Sequence, residues 1–96
     1  MNKELRYAKG SAGKEYWFDN KGNVVHAKID GSDYWYEYDT LGNKVYGIDS
    51  KGIEVWFDDK IRIIHRKYPD NTEFWYNDKG KIIHKKYSNG EEEWYN

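Results

Sequence analysis

Short runs of aromatic and β-branched residues alternate along this chain with polar clusters rich in Gly, Asp and Asn. Glu15-Tyr16-Trp17-Phe18 is followed by Asp19-Asn20-Lys21-Gly22, and that cluster by Val24-Val25-His26-Ala27-Lys28. Rings and branched side chains suit a pleated, half-buried surface, and Gly with Asp or Asn suits tight turns, so the pattern predicts strands and turns rather than helices. The Gly residues are spaced as hairpin punctuation, unlike those of a phosphate loop that opens a helix.

The pattern repeats. Trp17, Trp35, Trp56, Trp75 and Trp94 follow one another at intervals of 18, 21, 19 and 19 residues. Two positions before each stands an acid (Glu15, Asp33, Glu54, Glu73, Glu92), and directly after each an aromatic (Phe18, Tyr36, Phe57, Tyr76, Tyr95). Ile61 occupies a turn position where other copies carry Gly, which predicts a strained turn or one of another type. The second copy has two extra residues around Glu37-Tyr38, and Tyr46 where others have His. Leu5-Arg6-Tyr7-Ala8-Lys9 reads as the second half of a truncated leading copy. The copies span about residues 5–13 (partial), 14–31, 32–52, 53–71, 72–90 and 91–96 (partial), in a single domain over 1–96. The expected fold is all-β: an antiparallel meander of about ten short strands from about five hairpins, forming one twisted or curled sheet.

Parity sets an expected register. A one-residue slip sends a strand's side chains to the other face, so identical hairpins should keep every Trp on one side. A four-residue loop at Asp19–Gly22 does so, placing Trp17 opposite Val24, Glu15 opposite His26 and His26 opposite Trp35. A three-residue loop in the first hairpin would flip alternate copies. The expected rows are Glu15–His26–Trp35, Glu54–His65–Trp75 and Glu73–His84–Trp94, with Asp33–Tyr46–Trp56 in the second copy. Lys28, Lys67 and Lys86 then face Asp33, Glu73 and Glu92. Tyr36, Tyr76 and Tyr95 fall on the opposite face, so both faces are aromatic and one layer cannot bury both.

Composition narrows the chemistry. Sixteen basic residues nearly cancel seventeen acidic ones, leaving a net charge of −1, which argues against nucleic acid or an anionic membrane as partner. With no cysteine there is no disulfide framework, thiolate metal site or Cys nucleophile, and a cytoplasmic location is favoured. No apolar stretch approaches the roughly 20 residues that span a bilayer. His65 and His84 are expected two strands apart, about 10 Å, too far to share one zinc. Acids and imidazoles that recur at the repeat period suit a ladder better than a single catalytic centre, so neither enzyme activity nor a cofactor is expected.

At Tyr38-Asp39-Thr40-Leu41-Gly42-Asn43-Lys44-Val45 the chain resembles the YD (RHS-type) repeats of bacteria, and Phe18-Asp19-Asn20-Lys21-Gly22 and Tyr76-Asn77-Asp78-Lys79-Gly80 follow the same motif. The hairpin-per-repeat design is also similar to the MORN-variant repeats of bacterial antitoxin-like proteins. Phe74-Trp75-Tyr76-Asn77-Asp78-Lys79-Gly80 resembles the choline-binding cell-wall repeats, without their second Gly-Trp. These resemblances imply a β-hairpin array of bacterial or phage origin, serving as an immunity, antitoxin or inhibitor factor. Five copies are too few to form the shells of large YD-repeat proteins.

The expected function is therefore protein binding. Trp and Tyr dominate interface hot spots, and the candidate surface comprises Trp17, Trp35, Trp56, Trp75 and Trp94 with Tyr36, Tyr76 and Tyr95. The irregular segment at Glu37 and Tyr38 is a further candidate for specificity. A carbohydrate or cell-wall ligand, stacked on the same rings, is the alternative. Unpaired edge strands make a homodimer a candidate assembly.

Overall fold

The computed structural model describes residues 5–95. Ten strands follow one another: β1 (Arg6–Lys9), β2 (Glu15–Phe18), β3 (Val24–Ile29), β4 (Ser32–Tyr38) and β5 (Lys44–Asp49), then β6 (Glu54–Phe57), β7 (Ile63–Lys67), β8 (Glu73–Tyr76), β9 (Ile82–Lys86) and β10 (Glu92–Trp94). They form one antiparallel sheet in which spatial order equals chain order. A short 3-10 turn at Ser11–Gly13 links β1 to β2. The long axis of 43 Å matches nine inter-strand steps of ~4.8 Å, so the sheet is laid out rather than closed, with β1 and β10 as its edges. No helix among the described residues is long and apolar enough to cross a membrane.

The first hairpin shows how each repeat turns. Gly22 N–H donates to the Asp19 carbonyl and Asp19 N–H to the Asn23 carbonyl, which closes a three-residue loop with Gly22 at φ +86°. This is a type I turn ending in a left-handed residue, a common hairpin solution. The Asp19 carboxylate locks it by accepting the N–H groups of Lys21 and Asn23, both at 2.9 Å. Asp39, Asp58 and Asn77 do the same in the following hairpins. These amide donors, Asn23 to Asp19, Asn43 to Asp39 and Arg62 to Asp58 foremost, hold the three carboxyls below their ordinary pKa.

The four-residue loop expected from parity is thus corrected to three residues. Parity survives because the register shifts between Trp17 and Phe18: Phe18 pairs with Val24, Val25 is left over as a β-bulge, and Trp17 pairs with His26. The same shift recurs at Glu37/Tyr38, Trp56/Phe57 and Trp75/Tyr76. An odd loop plus one bulged residue has the parity of an even loop, so every Trp does lie on one face; within a hairpin its partner is two residues from the expected one, while the expected pairs between hairpins, His26–Trp35, His65–Trp75 and His84–Trp94, all form.

Ile61 adopts the same turn as its Gly counterparts, at φ +61°. A β-branched side chain there pushes Cβ toward the following carbonyl, so the copy is strained rather than differently folded. Among the described residues only one hydrophobic side chain, Ala27, is buried. Cohesion therefore comes from neighbouring strands, not from a second layer.

Two measurements test this account of the turns. Ile61→Gly should raise stability by about 1 kcal/mol, since the left-handed penalty of roughly 1–2 kcal/mol is partly offset by glycine's greater chain entropy; a lower melting temperature would contradict the strain. The lowered carboxyl pKa values add stability that is complete above the unfolded value of about 3.9 and is lost as pH falls through the folded values. Asp19→Asn, Asp39→Asn and Asp58→Asn together, copying Asn77, should leave the melting temperature near pH 6 little changed and flatten its fall toward pH 2.5. An unchanged acid slope would refute the role of these carboxylates.

Candidate functional site

Strand pairing brings the predicted Trp stripe together as a ladder of stacked rings. His26 lies between Trp17 and Trp35, with centroids 4.2 and 4.9 Å away and planes within 13°. Trp56, His65, Trp75, His84 and Trp94 continue in the same way, at 4.4, 4.6, 4.2 and 4.4 Å. Each pairing follows directly from the bulge, which sets Trp17, Trp56 and Trp75 opposite His26, His65 and His84. His65 and His84 occupy opposite faces of the Trp75 indole, so a whole ring separates the two imidazoles.

Acids fix the polar rings. His26 Nε2 contacts Asp33 Oδ1 at 2.8 Å, His65 contacts Glu73 at 2.9 Å, and His84 contacts Glu92 at 2.8 Å. The two Tyr at equivalent positions behave alike: Tyr7 donates to Glu15 and Tyr46 to Glu54, both at 2.6 Å. All five polar rings therefore use the acid two residues before the next Trp. The expected partners Glu15, Glu54 and Glu73, each from a histidine's own repeat, are corrected. Their places opposite His are taken by Trp, and they face Lys28, Lys67 and Lys86 instead. The expected Asp33–Tyr46 contact is likewise replaced, since Asp33 binds His26 and Glu37 lies opposite Tyr46. Burial and then the Glu54 carboxylate push the Tyr46 phenol up to about 12.

The ladder has one break. The two extra residues of β4 move its bulge from Trp35 to Glu37, so Trp35 pairs with Ile48 where a ring would otherwise stand. Trp35 is 43% exposed in consequence, whereas Trp17, Trp56 and Trp75 are half-buried. Tyr46 restarts the column on Trp56, tilted by 60° at 5.2 Å.

On the far face, Tyr36 lies over Gly47, with its ring atoms 3.1 and 3.3 Å from where a Cβ would stand, so a larger residue there would push the ring back by a few tenths of an ångström. Lys44 Nζ sits 4.2 Å from the same ring's centroid. Toward β10 cations replace small residues: Arg66 lies by Tyr76, and Lys85 between Phe74 and Tyr87. Tyr38 joins this face to the first hairpin by donating to the Val24 carbonyl at 2.7 Å. Burial raises the phenol pKa of Tyr36, Tyr38 and Tyr76. The sequence-predicted residues thus divide: the five Trp and Glu37 share the ladder face, while Tyr36, Tyr38, Tyr76 and Tyr95 belong to the other. Ile48, which makes the break, was not singled out by the sequence; the two-residue insertion was its only signal.

No protein-family model matches the chain, and no curated protein is significantly similar to it. Among solved structures, the crystal structure of TarM contains a similar arrangement, with a TM-score of 0.68 at 12% identity over 94% of this chain. The chain spans about a fifth (21%) of that protein's length. At this identity the likeness concerns the fold alone: an open, single-layer β-hairpin repeat.

The ladder makes a specific energetic claim. His65→Ala removes two ring contacts at once and should cost about 1–3 kcal/mol, from roughly 0.5–1.5 kcal/mol per aromatic pair. His65→Tyr, which copies Tyr7 and Tyr46, should recover most of it in urea unfolding. Equal losses in the two variants would show that stacking does not stabilise the sheet.

Proposed function

We propose that the chain is a non-enzymatic protein-binding module whose contact centres on the break in the ladder at β4–β5. The observation that carries this reading is the exposure of Trp35, a ring that the repeat would otherwise cover. Ile48 beside it supplies apolar surface, and Asp33 and Glu37 on the same strand and face supply a charged rim. Sugar stacking needs a free ring face, and inside the ladder both faces of Trp56 and Trp75 are occupied by neighbouring rings. A protein surface can use ring edges and flanking charges, so it fits this stripe better. The resemblance to antitoxin-like repeats supports an inhibitor or immunity role, exercised by occluding a partner's surface. The carbohydrate reading keeps the outward face of Trp94 and the side of Trp35 that no ring covers, so the glycan array is read beside the protein capture.

Affinity capture from bacterial lysate, beside a glycan array, tests the reading. Loss of a hot-spot Trp costs ~2 kcal/mol, about thirtyfold in affinity. Trp35→Ala should weaken the captured interaction by about that factor with the fold intact, while Trp94→Ala leaves it unchanged. Undiminished capture by the folded Trp35→Ala protein, or binding to glycans alone, would overturn it.

A further inference from the structure

The two edges of the sheet differ, and each matches what the repeat places beside the other. Within the chain, a strand carrying Trp is followed by one carrying a polar ring, in a fixed register. Trp75 meets His84, Glu73 meets Lys86, Phe74 meets Lys85 and, beyond the bulge, Tyr76 meets Ile82. The β2–β3 and β6–β7 pairs obey the same rule. Strand β10 is of the Trp type, and β1 is of the polar-ring type, since Tyr7 packs on Trp17 at 5.2 Å with a tilt of 52°, much as Tyr46 does on Trp56, and donates to Glu15 as the imidazoles do to their acids. Among the described residues, each has a neighbour on one side only.

We propose that β10 of one molecule pairs with β1 of a second copy, continuing the ladder from head to tail. Applying the internal register sets Trp94 opposite the partner's Tyr7, Glu92 opposite the partner's Lys9 and Glu93 opposite the partner's Ala8. Beyond a bulge at the partner's Arg6, Tyr95 meets the partner's Leu5. Every position finds its usual chemistry: ring on ring, acid against lysine, aromatic against aliphatic. The side chains involved are those left open, with Trp94 67%, Tyr7 51%, Leu5 46% and Tyr95 42% exposed. Trp94 is already stacked on His84 with its other face uncovered. Edge pairing also satisfies backbone groups that otherwise invite unspecific strand addition. Because the two surfaces are different, the contact is heterologous: it does not stop at a two-fold dimer but grows into a filament, or a ring where rotation closes it. This contact is separate from the one proposed around Trp35, so either can fail without the other.

Cysteine cross-linking reads the contact directly, because the chain has no cysteine of its own. Ala8→Cys and Glu93→Cys, made as separate variants of different tagged size and mixed before mild oxidation, should yield the mixed dimer in several-fold excess over either homodimer. Facing residues of an antiparallel pair lie within the Cα separation that a disulfide bridges. In light scattering, wild-type mass should rise with concentration past the dimer, and Trp94→Ala should suppress that rise while leaving the circular dichroism unchanged. Predominant homodimers would indicate a symmetric edge contact and overturn the proposal. A double variant that forms only an intramolecular bond would show the sheet closing on itself, and a strict monomer with no cross-link would also refute it.

Discussion

An imidazole held between two indoles, and pinned by a carboxylate from the following hairpin, is the interaction on which this structure rests. A single sheet has no second layer to exclude water from its side chains, so cohesion must come from contacts between adjacent strands. Flat rings suit that task because each can serve both neighbours at once, one on either face. The acid gives the stack its direction: it fixes the polar ring's tilt and ties each hairpin to the next. Tyr7 and Tyr46 show that the requirement is a ring with a hydrogen to donate, not imidazole itself, and at these positions the ring is tilted against its indole by 52° and 60° rather than stacked.

The same economy explains the two halves of the far face. Where small residues occupy the middle of a strand, Ala27 lies buried between the paired positions Tyr16 and Tyr34, and Tyr36 lies down over Gly47. Where Arg66 and Lys85 take that place, their long stems and cationic heads shelter Tyr76, Phe74 and Tyr87 instead. Both arrangements reduce water contact at the sheet without a core, one by bringing rings to the backbone and the other by bringing side chains to the rings.

Much of this was legible in the residues. The Trp interval gave the number of hairpins, and parity correctly placed all five indoles on one side. The register within each hairpin was not legible, because counting parity cannot distinguish an even loop from an odd loop followed by a bulge. Nothing in Val24-Val25 or Ile82-Ile83 marks the second residue of each pair as the unpaired one. The acid partners went astray for the same reason: a two-residue shift carries Glu15 past His26 to Lys28, and the carboxylate left within reach is Asp33. The extra pair of residues at Glu37-Tyr38 was visible, but its effect, the exposure of Trp35 against Ile48, appears only when the bulge is seen to move with it.

Each strand of this sheet pairs only with the strands before and after it in the chain. Contacts therefore close loops of a few residues, the topology that folds fastest, and no distant segment must be found before a hairpin is secure. Such an array behaves as a one-dimensional chain of coupled units, in which disturbance spreads to nearest neighbours and fades. The interrupted column between Trp35 and Tyr46 falls in the strand pair with the longest register, so backbone pairing carries the coupling where ring stacking stops. Tension applied to the two ends would peel the molecule strand by strand from its edges rather than shear it at once, and the long β4–β5 pair at the middle would be among the last to part.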